Sequence, residues 1–309
     1  MNKVNKENKG TILAVIAAVI SGVAIIANKM FIVDMEPVVF TSIRSLIIGV
    51  AFFLIIYYKS EFDFNKLFGG MKKSNMRALL LIAIVGGAAA FLLFFTGLKM
   101  TTGGKAAFLQ KTLPIYVAVF SYWFLKEKIP MKQTYALIIM MLGTMLVLGS
   151  GIAPAEFWTD PVFGDFLVIG ATVLWAIENT IARKTMIEGD SNWIVAFSRM
   201  FIGGLILFGV AGIMGKFGAL MALTYAQTVN ILVSTAILLG YVFCWYWSIR
   251  LINVSKASTI LLIAPVISLV LGVAVLGEPV PLIQLAGSAL ILIGACIVIG
   301  VKSQFTSGV

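Results

Sequence analysis

The sequence predicts an all-α, polytopic membrane protein of ten transmembrane helices in two inverted five-helix repeats. Three observations carry that prediction. Of the 309 residues, 61% are hydrophobic and 12% charged, with a mean hydropathy of +1.05. That is more apolar surface than a soluble domain of this length can enclose. Apolar runs matching the roughly 20 residues of a spanning helix recur from end to end. Finally, the second half repeats the polar punctuation of the first.

The spans fall at 10–31, 38–58, 78–98, 104–125, 132–150, 164–183, 193–214, 228–249, 255–276 and 282–301. The first follows a basic N-terminus and continues into "NKMFI" without a small-residue cleavage site. It therefore reads as an uncleaved span rather than a signal peptide. The second carries Arg44, close enough to a surface for its side chain to reach water. The third holds "GGAAA" at 86–90, which leaves room beside it. The fourth contains Lys111 and, three residues on, Pro114; the turn "KEKIP" with Glu127 leads into the fifth. The sixth reads "VLWAIENTIARK", with Trp175, Glu178 and Asn179, and the seventh carries Arg199. The eighth contains "YVFCWYW" at 241–247, where Tyr246 and Trp247 read as an interfacial aromatic belt. The ninth opens at Lys256, holds Pro265 and closes in "GEPVP" with Glu278 ahead of the tenth.

The net charge of +10 does not point to nucleic acid, because the basic residues punctuate the gaps between spans. Most of them (Lys59, Arg77, Lys72, Lys73, Lys126 and Arg183 among them) fall on the N-terminal side. Lys29, Lys99, Lys105 and Lys216 fall on the other. By the positive-inside rule this places both termini in the cytoplasm of a multi-pass protein of the cell (inner) membrane. There is no histidine, which excludes His-based triads, zinc sites and proton relays. Cys244 and Cys296 lie in separate spans and read as packing residues. "GGMKKS" lacks the spacing of a nucleotide-binding loop. The expectation is no metal, no cofactor and no enzymatic activity; the sequence sets no oligomeric state.

The repeat is explicit. Residues 97–149 lie on 248–300 at a constant offset of 151, pairing Lys99 with Arg250, Lys105 with Lys256, Pro114 with Pro265, Glu127 with Glu278 and Gly143 with Gly294. Upstream, an offset of 154 pairs Gly10 with Gly164 and Lys29 with Arg183, and 155 pairs Arg44 with Arg199. The halves divide at 1–153 and 154–309. Five spans per copy send the second copy into the membrane from the opposite side, as in many secondary transporters.

The ten spans, the two repeats, the "K-A-x7-P-x12-E-x2-P" pattern at the fourth helix of each half and the short basic turn before the fifth together resemble the drug/metabolite transporter superfamily, more narrowly its EamA branch. The resemblance covers residues 10–301. It implies a mid-membrane substrate cavity lined by helices 1, 3, 4, 6, 8 and 9, with helices 5 and 10 peripheral. It also implies movement of amino acids or other small metabolites, with export favoured by analogy.

The repeat separates scaffold from site. Polar residues present in both copies read as scaffold: Arg44 and Arg199 as anchors, Glu127 and Glu278 as acceptors for the N–H groups opening the next helix, and Lys105 and Lys256 at the interface. Pro114 and Pro265 would free the carbonyls of Gln110 and Leu261 and act as bends for alternating access. Three intramembrane polar residues lack a counterpart: Lys111 maps onto Leu262, and Glu178 and Asn179 onto Ala24 and Ile25. A charge at the bilayer centre costs about 2.5–3.5 kcal/mol and marks a substrate or ion path.

In one reading Lys111 holds the carboxylate of a zwitterion and Glu178 with Asn179 its ammonium. Trp175, which shares their helical face, would then flank the substrate with Tyr241 and Trp245, beside Gln110. In another, Lys111 and Glu178 pair with each other in the empty state, and substrate or a proton breaks the pair; a proton-coupled step would use Glu178. The expected partners are a small-molecule substrate and the lipid bilayer. The rival readings are an organic-anion or sugar-phosphate carrier of the same fold, and a non-transporting membrane protein.

Overall fold

A computed structural model describes residues 3–31, 35–63, 65–66, 74–149 and 162–303. The expected boundary between residues 153 and 154, and the basic residues Lys72 and Lys73, lie outside these. Hydrocarbon leaves no water to satisfy a backbone, so every spanning segment must close its own hydrogen bonds. Accordingly, all ten expected spans are helical: α1 (Lys3–Phe31), α2 (Pro37–Lys59), α3 (Met76–Leu98), α4 (Gly103–Lys111 continued by Leu113–Leu125), α5 (Met131–Gly149), α6 (Phe163–Ile187), α7 (Asn192–Ile213), α8 (Tyr225–Leu251), α9 (Val254–Leu276) and α10 (Leu282–Gly300). Nine are unbroken enough among the described residues to qualify as spans by length and hydropathy; the tenth, α4, is interrupted at Thr112.

The helix starts are written locally. Asn75, Thr102, Ser191 and Thr224 each accept a backbone N–H of the first turn of α3, α4, α7 and α8, and Pro37 opens α2, where its missing N–H is harmless. α4 and α9 close alike, on a left-handed residue just ahead of the shared glutamate: Lys126 at φ 54° and Gly277 at φ 65°. The Glu127 and Glu278 amides then turn back on Ser121 O and Gly272 O.

The prolines break their helices differently. In α4 the N–H and hydroxyl of Thr112 both turn back on Leu109 O. In α9 a single 3₁₀ turn, Leu261–Ile263, precedes Pro265, and the Ala264 N–H takes the Leu261 carbonyl that the proline was expected to leave free.

α1 packs against α8 and α9, and α6 against α3 and α4; α2 packs on α7, and α5 on α10. α5 and α10 meet at the rim, where a Cβ on Gly143 would stand 2.5 Å from Gly287 O. Two wide π segments, Ile82–Ala89 in α3 and Ser198–Ile202 in α7, lie against each other. Gly87 allows this contact, since a Cβ there would come within 2.5 Å of Arg199 O. π turns of this kind often mark functional sites.

Candidate functional site

The π segments flank a buried polar centre. Glu178, midway along α6, has no solvent exposure. It receives a 2.6 Å hydrogen bond from the Tyr246 hydroxyl of α8 at Oε1. Its Oε2 lies 3.7 Å from Nε of Arg199, in the π segment of α7. That is close enough for a charge pair but too long for a good hydrogen bond, and both Oε2 and Nε are buried without a hydrogen-bond partner. One helical position on, Asn179 Oδ1 accepts a 2.7 Å hydrogen bond from Trp245 Nε1, and Tyr241 stacks parallel to the Trp245 indole at 6.3 Å. α3 closes the centre from behind: a Cβ on Gly86 would stand 2.1 Å from Glu178 Cγ, so only glycine fits.

Several expectations are corrected here. Glu178 pairs with Arg199, and no hydrogen bond or ion pair among the described residues joins it to Lys111. Arg199, read as an anchor reaching the surface, lies largely buried at the centre, its side chain 10% exposed. Its counterpart Arg44 is buried too, donating to Ser234 Oγ at 2.7 Å beneath the Phe40 ring. Tyr246, assigned to the interfacial belt, is wholly buried. Trp175 turns from Glu178 towards α3, packing against Phe91 and Phe94 and donating to Gly86 O at 3.2 Å.

Lys111 ends the first half of α4, half-buried beside half-buried Gln110, and makes no hydrogen bond or ion pair among the described residues. Glu127 does not cap the helix that follows it. Its carboxylate is bonded by Arg183 of α6 and accepts from Val254 N and Ser255 Oγ at the start of α9. Burial raises its carboxyl above the ordinary carboxylate range, against the pull of Arg183. Glu278 is bonded by Lys29, and the interface lysines are paired: Lys105 with Asp165 at 3.7 Å, Lys256 with Glu7 at 3.3 Å.

Apolar helices of spanning length around buried polar side chains make this a multi-pass membrane protein. The EamA-like transporter family model matches the chain twice, over residues 8–149 and 162–300, and the protein belongs to that family. An uncharacterized transporter of Bacillus subtilis, YoaV, is 25% identical over 270 residues, covering 87% of this chain and 89% of its own. An uncharacterized transporter of Archaeoglobus fulgidus is 25% identical over 286 residues, 90% of this chain and 94% of its own. Protein LicB of Haemophilus influenzae is 23% identical over 261 residues, 84% of this chain and 83% of its own. A crystal structure that is 15% identical shares the fold at a TM-score of 0.76, covering 94% of this chain and 97% of the other.

Proposed function

We propose that the protein is a secondary transporter of the cell membrane, termini cytoplasmic, that moves an amino acid or similar zwitterion by alternating access. The observation that carries the reading is the orphaned pair Glu178 Oε2 and Arg199 Nε, buried 3.7 Å apart with one open hydrogen-bonding position each. Leaving a buried polar group unsatisfied costs about 1–3 kcal/mol, and more for a charged one. A ligand bearing both an ammonium and a carboxylate fills both positions at once. The ammonium goes to Glu178 and Asn179, the carboxylate to Arg199 and Lys111, with Tyr241 and Trp245 along the side chain.

Two inverted repeats remain part of the proposal. The double family match supports them, as does the exchange of packing partners, in which α1 on α8 and α9 corresponds to α6 on α3 and α4. Pro114 and Pro265 are the proposed bends.

Counterflow in proteoliposomes across an amino-acid panel tests the assignment. Uptake of at least one amino acid, abolished by Glu178→Gln, is the expected result; no uptake of any would end it. A second reading, an organic-anion carrier, draws on the charge balance of the centre. Lys111 and Arg199 are both cations within the spans, and only Arg199 is paired with Glu178. Under that reading Glu178→Gln keeps its transport.

A further inference from the structure

The four charged residues at the ends of α1, α4, α6 and α9 form two pairs that the repeat exchanges. Lys29 corresponds to Arg183 and Glu278 to Glu127, and both pairings are made, Arg183 with Glu127 and Lys29 with Glu278. Their surroundings differ sharply. The Arg183–Glu127 pair is sealed, its side chains 2% and 6% exposed, whereas Lys29 and Glu278 are 60% and 40% exposed.

The sealed pair also grips a third element, the short junction between α8 and α9. Arg183 donates to Ile249 O, Val254 N donates to Glu127 Oε1 at 3.3 Å, and Ser255 Oγ donates to Glu127 Oε2 at 3.4 Å. Beside it, Asn253 Nδ2 reaches Lys128 O at 3.5 Å. At an offset of 151 these three positions correspond to Leu98, Gly103 and Gly104, at the junction of α3 and α4. The exposed pair does not touch them: the side chains of Lys29 and Glu278 bond only each other among the described residues, and a Cβ on Gly103 would meet nothing within 4 Å.

We propose that the two pairs are alternating jaws of one lock. In the state seen here, Glu127–Arg183 holds the α8–α9 junction and closes the face that carries both termini. In the opposite state it lets go, and Glu278–Lys29 closes on the Leu98 carbonyl and the N–H groups of Gly103 and Gly104. Each ion pair stays intact throughout; what changes is the junction it grips. A carboxylate over the first N–H groups of a helix is a favourable placement, so each face has a comparable closed state. This inference rests on the two-repeat reading, and names the residues that would make the exchange.

Cross-linking tests it without substrate. In a Cys244→Ala, Cys296→Ala background, Lys128→Cys with Asn253→Cys reports closure of the termini face. The corresponding positions, Thr102→Cys with Pro279→Cys, report closure of the other. In ligand-free protein in liposomes the first pair should cross-link fast and the second slowly. Glu127→Gln should raise the Thr102/Pro279 rate on the order of tenfold, the effect of about 1.4 kcal/mol of lost charge-assisted hydrogen bonding, and slow the other pair. Ser255→Ala, which keeps the ion pair, should shift both rates the same way by less, so a Glu127 variant that fails to fold does not remove the test. Glu278→Gln should suppress Thr102/Pro279 cross-linking and leave Lys128/Asn253 unchanged. If neither Glu127→Gln nor Ser255→Ala moves either rate, or if both faces cross-link equally fast in the parent, the lock is refuted. Rates that move as expected in a protein that counterflows no amino acid would leave the lock standing and remove the substrate assignment. Counterflow with unmoved rates would do the reverse.

Discussion

Replacing Gly86 by alanine is the most direct probe of how tightly the buried carboxylate is held. The new methyl group would sit 2.1 Å from Glu178 Cγ, with Cβ at 2.7 Å and the carboxyl carbon at 2.8 Å. Relief to the 3.4 Å edge of ordinary contact requires about 1.3 Å of movement. That exceeds the tolerance of the 2.6 Å bond from Tyr246, since such bonds weaken beyond roughly 3 Å. α3 has little freedom to retreat, because its next residue, Gly87, already lies against the α7 backbone. Overpacking costs about 1–3 kcal/mol, and loss of a hydrogen bond to a charged group about 1.5–3 kcal/mol. Together these predict destabilisation of about 2.5–6 kcal/mol, or roughly 4–9 °C of melting temperature for a chain of 309 residues. The carboxylate is displaced as well, so substrate affinity should fall at least about tenfold, equivalent to 1.4 kcal/mol. Gly209→Ala is the matched control, since a Cβ there meets nothing within 4 Å. Fluorescence-detected thermal unfolding and counterflow read the two effects. Gly86→Ala matching the Gly209→Ala control in both assays would refute this account of the centre.

Other expectations follow from the same geometry. Lys111→Met should raise thermal stability, since it removes an unpaired ammonium from the membrane interior, while lowering uptake about tenfold or more; stability and transport moving in the same direction would count against a substrate role. Arg199→Ala should destabilise by about 3–5 kcal/mol by stranding Glu178, and the Arg199→Ala, Glu178→Gln double variant by less than the sum of the singles; additivity in thermal unfolding would deny the pairing. Trp245→Phe leaves Asn179 Oδ1 without its donor and should cost about 1–3 kcal/mol in the same assay, with a raised KM. Lys126→Gly relieves a left-handed lysine whose counterpart is already glycine, and should stabilise the protein by about 1 kcal/mol.

The helices were legible because bilayer thickness and the absence of water constrain a spanning segment almost completely; the helix ends fall within about four residues of the expected ones, except that α1 begins at Lys3, ahead of the expected residue 10. Glu178 and Asn179 were legible for the same reason, as polar groups that hydrocarbon penalises unless they serve a purpose. Arg199 and Tyr246 were not. Arg199 shares its repeat position with Arg44, and identical placement in two copies says nothing about what each side chain meets. Arg44 finds Ser234, whereas Arg199 finds a carboxylate. Tyr246 lies in an aromatic run whose composition fits a membrane interface, and only the rotation of α8 decides that this hydroxyl points inward while Trp247 stacks on Phe243 and meets Trp193 edge-on. The signal available in the sequence was arithmetic: a deep carboxylate requires a deep cation, and Arg199 was a second one besides Lys111. The shared glutamates were correctly placed at helix ends, but the helix that Glu127 caps is α9, a contact between the two halves that no local pattern encodes.

The interruption of α4 at Thr112 bears on the surroundings of its lysine. Lys111 is the final residue of the half-helix Gly103–Lys111, so its ammonium stands at the carbonyl end of a row of aligned peptide dipoles. That end carries the equivalent of about half a negative charge, which favours a cation there by about 0.3–2 kcal/mol. An unbroken helix would place the same residue in mid-row, where the dipoles offer it nothing. The break therefore supplies a counter-charge made of backbone, which occupies none of the directions a carboxylate would take up. No described side chain takes up its N–H groups, as the proposed contact of Lys111 with a substrate carboxylate requires.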